Sequence, residues 1–109
     1  MIDVNGAQIG TDPEGYLENL ADWTEDVARV LAAQDKLELS ADHWRVIAYI
    51  RDYFDAQGSA PSLRFLQRGL ADEYGGDWGD KKFLFGLFPY GPAKQAGRYA
   101  GTPKPTGCV

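Results

Sequence analysis

The chain predicts a mainly α domain of the α+β kind: an orthogonal bundle of about five helices with an N-terminal β-hairpin and a flexible C-terminal arm. Three observations lead there. Between Trp23 and Leu87, apolar residues recur at three- and four-residue spacing in successive segments, which is helical periodicity. At the N-terminus, alternating apolar residues flank Asn5-Gly6, the strongest short-range hairpin signal. At the other end, Gly101, Pro103, Pro105 and Gly107 interrupt one another at a spacing that no helix or central strand accepts. The expected division is a folded body over 1–100 and an arm over 101–109.

Each element has its own local cause. Ile2, Val4, Ala7 and Ile9 alternate around a type I′ turn, and Asp12-Pro-Glu-Gly15 forms the next turn. Asp22 or Thr24 caps the first helix, whose Trp23, Val27, Val30 and Leu31 are expected to face the core until Asp35-Lys36 ends it. Ser40 caps the longest helix, Ala41 to Ala56, with Trp44, Ile47, Ile50 and Phe54 as its stripe, Val46 and Tyr53 widening it, and Gly58 as its stop. Ser59-Ala-Pro-Ser62 opens a third helix with Leu63, Phe65, Leu66 and Leu70 as apolar positions. Asp77 is expected to cap a short fourth helix through Leu87, and Pro92 suits the first turn of a fifth that runs to Ala100.

Composition sets bounds on function. With 109 residues, 44% hydrophobic and 13% aromatic, the chain has the size and apolar content of one globular domain. No apolar run approaches a membrane span and no charged-then-apolar leader precedes Asp3, so with a lone cysteine the expected setting is the cytoplasm. A net charge of −5 opposes nonspecific binding to nucleic acid or anionic membrane. The charge is uneven, however. Acids dominate through Asp55, whereas Arg64, Arg68, Lys81, Lys82, Lys94, Arg98 and Lys104 make the second half locally basic.

Cys108 is the candidate for chemistry. It is the only cysteine and stands one residue from the end, on a stretch Gly101 to Cys108 that spans about 25 Å at most. Such an arm can carry a thiol into another protein's active site, although terminal residues are also ordinarily frayed and a terminal cysteine incidental. Residues alone leave both readings standing. Lys94, Arg98 and Lys104 are the nearby cations able to favour the thiolate or dock a partner if the tail folds back. Neither a histidine nor a carboxylate lies in the last nineteen residues, which excludes a cysteine-protease arrangement there. What remains is a thiol that accepts and passes on a sulfur atom, a disulfide or an acyl group. His43, the only histidine, reads as structural or surface, and one histidine with one cysteine makes no credible zinc site. No phosphate-binding glycine motif is present, so no cofactor is expected. Arg64 and Arg68, one turn apart on the second helix of a helix-turn-helix outline, offer a phosphate-contacting face, and DNA is the alternative partner.

Six stretches carry a resemblance. They are Thr11-Asp-Pro-Glu-Gly-Tyr-Leu17, Leu39-Ser-Ala-Asp-His-Trp44, Ile50-Arg-Asp-Tyr53, Leu87-Phe-Pro-Tyr-Gly91, Gly91-Pro-Ala-Lys-Gln-Ala96 and Ala100-Gly-Thr-Pro-Lys-Pro-Thr-Gly-Cys-Val109. In order and over essentially the whole chain, they resemble the DsrC/TusE family of small cytoplasmic sulfur carriers. The resemblance implies that Cys108 carries a persulfide. It implies a TusBCD-like or DsrEFH-like complex as sulfur donor, and a tRNA 2-thiouridylase or a sulfur-oxidation enzyme as acceptor. Members that work with dissimilatory sulfite reductase carry a second cysteine after Lys-Gln-Ala, where this chain has Gly97. That departure favours the single-cysteine branch, which resembles the relay for tRNA 2-thiouridine. The ending Lys-Pro-Thr-Gly-Cys-Val reads more like the two-cysteine branch, so a role in sulfur oxidation, or as a sulfite-reductase-associated subunit without chemistry of its own, stays open.

Overall fold

The computed structural model describes residues 1–105. Strands β1 (Ile2–Val4) and β2 (Ala7–Ile9) pair antiparallel, with Ile2 opposite Ile9 and Val4 opposite Ala7. Asn5 and Gly6 both take positive φ, 53° and 88°, as the I′ turn requires. Alternation places Ile2 and Val4 in the core, so the ribbon is stabilised by the helices beneath it. Asn5 Nδ2 donates to Asp26 Oδ2 (2.8 Å) and pins the turn to the first helix.

Five helices follow: α1 (Glu25–Gln34), α2 (Ala41–Gln57), α3 (Leu63–Tyr74), α4 (Lys81–Leu87) and α5 (Pro92–Tyr99). Thr24 caps α1 through Val27 N, and Val27, Ala28, Leu31 and Ala32 form its buried face. Ser40 caps α2, and Gly58 closes it at φ 77°. The α2 core is Val46, Ile47 and Ile50 together with His43, whereas Trp44 and Phe54, expected in the stripe, are half-buried along its side. The His43 ring completes the cap. Its Nδ1 accepts from Ser40 N (3.0 Å), and its Nε2 lies 2.8 Å from the carbonyl of Leu87. A carbonyl only accepts, so the proton resides on Nε2 and the ring is a structural bridge from α2 to α4.

Two expectations are corrected. Phe65 is 50% exposed, because Leu63, Leu66 and Leu70 make the buried stripe and a residue two positions after Leu63 lies on the opposite side of α3. The cap of α4 is Asp80, which accepts from Lys82 N, rather than Asp77. Asp77 is taken up in a 3₁₀ turn, Gly76–Gly79, held against α3 by Gln67 Nε2 donating to Gly79 O (2.9 Å). The close approach needs Gly79, since a Cβ there would lie 2.8 Å from Gln67 O and 2.9 Å from the Ala71 Cβ.

Helix α5 is the central element. Pro92, Ala93, Gln95, Ala96, Gly97 and Tyr99 are buried, and α5 packs against α1, α2, α3 and α4. Small residues at 93, 96 and 97 let the neighbouring helices approach its backbone, while Tyr99 and Phe88 fill the space between them.

Candidate functional site

The last carbonyls of a helix have no partner within it and must be met otherwise. At the end of α5 every one is accounted for. Gly101 takes φ 73°, and its N–H donates to Arg98 O (3.2 Å) while Thr102 N donates to Gly97 O (3.1 Å). This is a Schellman motif, with glycine at the left-handed position. Thr102 is buried and its Oγ1 also donates to Gly97 O (3.1 Å). The carbonyl of Tyr99 accepts from Trp23 Nε1 and that of Ala100 from Arg51 Nη1, both at 2.7 Å. The Arg51 guanidinium also lies 3.7 Å from the centre of the Trp23 ring. Trp23 and Arg51 line a cleft of about 490 Å³ between α1 and α2, which Trp44 and Arg29 share.

Beyond Thr102, Pro103 and Lys104 are exposed and Pro105 is buried. Lys104 Nζ pairs with Glu14 at 2.9 Å. Glu14 forms the rim of a second cleft, about 170 Å³, lined by Tyr16, Tyr90, Lys94, Gln95 and Arg98 as well. Three cations singled out from sequence are thus brought to one place: Lys94 and Arg98 in the cleft wall and Lys104 at its rim through Glu14. Cys108 lies outside the described residues. Arg64 and Arg68 are exposed on α3, on either side of Phe65, and among the described residues no ion pair or hydrogen bond joins them to this cleft.

A set of residues that local pattern does not pick out holds Arg98. Its Nη2 pairs with Asp35, the residue that ends α1, and Tyr99 Oη donates to the same carboxylate oxygen. Gln95 Nε2 donates to Tyr99 Oη (2.8 Å), and Gln95 Oε1 accepts from Tyr90 N (2.7 Å). On the other side, Gly15 at φ 91° brings the Asp12–Gly15 turn against the guanidinium, where a Cβ would lie 2.9 Å from Arg98 Cδ. Arg98 Nε is buried and unpartnered among the described residues. Tyr16 Oη donates to Lys94 O (3.2 Å) and closes the network.

This network has a pH signature. Burial, joined at Tyr99 by the hydrogen bond to Asp35, pushes the hydroxyls of Tyr16 and Tyr99 up to about 12, against the opposing pull of Arg98 on Tyr16 and of Gln95 on Tyr99. A folded-state value above the unfolded 10.0 means that the stabilisation is complete below pH 10 and is lost as pH rises from 10 through about 12. Chemical denaturation of wild type at pH 9, 10, 11 and 12 is expected to show a fall in stability across that window, shallower in Tyr99→Phe. An equal slope in both would remove Tyr99 from the account.

The chain is matched from residue 3 to 109 by the family model described as DsrC like protein. It belongs to the DsrC family. Among curated relatives, the sulfurtransferase TusE of Photorhabdus laumondii is 42% identical over 109 residues, covering 100% of this chain and 98% of that one. The TusE homologue of Haemophilus influenzae is 41% identical, with 100% of both chains covered. Among solved structures, the NMR structure of Allochromatium vinosum DsrC is 51% identical with a TM-score of 0.90, covering 99% of this chain and 96% of that one. The oxidized gamma-subunit of the dissimilatory sulfite reductase (DsrC) from Archaeoglobus fulgidus is 40% identical with a TM-score of 0.83, covering 98% and 97%. The DsrC fold of five helices behind a two-stranded hairpin is therefore common to this chain and those structures. Among the described residues no helix is long and apolar enough to cross a membrane, and no three His, Cys, Asp or Glu side chains group as a metal site.

Proposed function

We propose that this DsrC-family chain is a sulfur carrier in a cytoplasmic sulfur relay and that Cys108 carries the sulfur. The observation that carries the reading is the full-length match to sulfurtransferases and DsrC proteins in a chain whose only cysteine is Cys108. In the step proposed, the Cys108 thiolate attacks the outer sulfur of a donor protein's persulfide. A new S–S bond forms at Cys108, the donor's S–S bond breaks, and the donor cysteine leaves with the electron pair as thiolate. No external oxidant or reductant is needed, and the reverse of the same step hands the sulfur to an acceptor thiol.

The basic cleft suits this chemistry, since cations favour a thiolate and a persulfide anion alike. Lys94, Arg98 and Lys104 are the residues proposed to stabilise that anion or to receive an acidic partner surface. The donor is proposed to be a TusBCD-like or DsrEFH-like complex, and the acceptor a tRNA 2-thiouridylase or a sulfur-oxidation enzyme. A second reading, a sulfite-reductase-associated subunit, has only likeness, such as that to the Archaeoglobus gamma-subunit, behind it. Gly97 weighs against it. A single thiol cannot close an intramolecular disulfide, and a Cβ at position 97 would lie 3.3 Å from Thr102 Oγ1, space that Thr102 occupies in this chain. Nothing comparable supports DNA binding through Arg64 and Arg68.

Intact-protein mass after incubation with a persulfide donor tests the proposal. The expected result is a gain of one sulfur, removable by reductant. No gain with any persulfidated protein or inorganic polysulfide would sink it. Arg98→Glu, which sets two carboxylates against each other at Asp35 and reverses the charge of the cleft wall, is expected to slow sulfur acceptance by about tenfold. An unchanged rate would reduce Arg98 to a structural residue.

A further inference from the structure

We infer that Trp23 and Arg51 form a clamp on the Tyr99 and Ala100 carbonyls at the end of α5, and that this clamp is a positioning device for sulfur transfer because it sets the course of residues 101–105 over the body, three residues short of Cys108. The inference rests on the carrier reading but assigns residues that lie outside the basic cleft.

The argument begins with what a helix end needs. Exposed terminal carbonyls are commonly met by water, at no structural cost. At the end of α5 two side chains from separate elements do it instead. Trp23 comes from the segment before α1 and donates to Tyr99 O, and Arg51 comes from α2 and donates to Ala100 O, both at 2.7 Å. They also rest on each other, with the guanidinium 3.7 Å from the ring centre, so neither donor can turn away without disturbing its companion. The backbone of the next residue, Gly101, is pressed against the Trp23 ring so closely that a Cβ would lie 2.7 Å from Cγ and 2.9 Å from Cβ of that residue. Two carbonyl directions and the following φ are thereby referred to α1 and α2 rather than left to the helix end itself.

The consequence follows from tethering. Thr102 and Pro105 are buried and Lys104 pairs with Glu14, so the chain is still held on the body at 105. The three further residues to Cys108 reach about 10 Å at most, so the course that the clamp gives to residues 101–105 sets the volume open to the thiol. Transfer between two proteins requires a sulfur-to-sulfur approach at defined angle, and small misplacements of reacting groups lower rates by one to two orders of magnitude. A small freely diffusing sulfur donor makes no such demand on the root. The clamp therefore discriminates between the two kinds of donor, which a general effect on folding or on the thiol would not do.

Trp23→Phe removes the N–H and keeps the ring. Arg51→Ala removes both donor and stack. In each variant and in wild type, sulfur acceptance is to be measured from a persulfidated sulfurtransferase protein and from inorganic polysulfide, with amide hydrogen exchange at Gly101 and Thr102 measured in parallel. The expected result is an about tenfold slower rate with the protein donor, a rate with polysulfide within about twofold of wild type, and at least about tenfold faster exchange at both amides. Rates that fall equally with both donors, or with neither, overturn the clamp as a positioning device. If wild type accepts sulfur from neither donor, the carrier reading and the transfer role of the clamp fail together. Exchange at Gly101 and Thr102 then decides separately whether Trp23 and Arg51 hold the root, and unchanged exchange overturns that as well.

Discussion

Cys108→Ser is expected to abolish sulfur loading completely while leaving the free energy of unfolding within about 0.5 kcal/mol of wild type. The chemical half of the expectation rests on the nucleophile. A thiol titrates near 8.5 and supplies some thiolate at neutral pH, whereas a serine hydroxyl supplies essentially none and has no base beside it in the last nineteen residues. No second cysteine is present to substitute, so residual loading has nowhere to go. The structural half is an expectation for a residue outside the described ones; among those, the buried apolar cluster from Ile2 to Ala100 is already closed by α5. Mass spectrometry after treatment with a persulfide donor reads the first half and chemical denaturation the second. Sulfur retained by the variant would place the carrier site elsewhere. A large loss of stability would instead mean that the Cys108 thiol itself packs on the domain, and the arm would have to be redrawn.

The elements that were legible in sequence are those fixed by local chemistry. Asn5-Gly6 between alternating apolar residues specified the hairpin, because two successive positive φ values are nearly confined to such pairs. Ser40 and Gly58 bracketed α2 for equally local reasons, to within one residue of its observed end. The convergence of Lys94, Arg98 and Lys104 was legible only in part. The first two are one turn apart on α5, which spacing reveals, but Lys104 is joined through Glu14, ninety residues earlier. Asp35 was read as a helix end and nothing more, since its pairing with Arg98 crosses 63 residues of chain. Trp23 was expected from periodicity to face the core, against which it packs half-buried; the partner of its N–H, Tyr99 O, lies 76 residues away and has no local signal. Gly101 illustrates a competition between two signals. With Pro103 and Pro105 it reads as the start of an arm, yet a glycine directly after a helix is equally the left-handed cap, and Thr102 completes the Schellman motif.

Gly101→Ala is the substitution expected to cost the folded domain most per atom added. An L-residue at φ 73° costs about 1–2 kcal/mol from the contact of Cβ with its own backbone. The added methyl would also overlap the Trp23 ring, which is held by its bond to Tyr99 O and by Arg51 over its face, and overpacking of this kind costs about 1–3 kcal/mol. Together these predict a loss of about 2–5 kcal/mol. For a domain of this size that lowers the unfolding midpoint by about 10 °C or more. Gly58 supplies the internal control. It too ends a helix at positive φ, 77°, but a Cβ there meets nothing within 4 Å. Gly58→Ala should therefore show the backbone cost alone, and the difference between the two variants isolates the contact with Trp23. A further substitution tests that assignment: in a Trp23→Ala background the ring is gone, and Gly101→Ala should cost no more than Gly58→Ala does. If the two alanine variants are equally destabilised in the wild-type background, the indole yields freely, and Trp23 cannot be a rigid reference for the root of the arm. If they differ by the amount expected and the difference vanishes without the indole, then glycine is required at 101 because the chain passes out of α5 pressed against Trp23. Gly101, which turns the chain out of α5, and Trp23, which holds the carbonyl of Tyr99, are then parts of one contact.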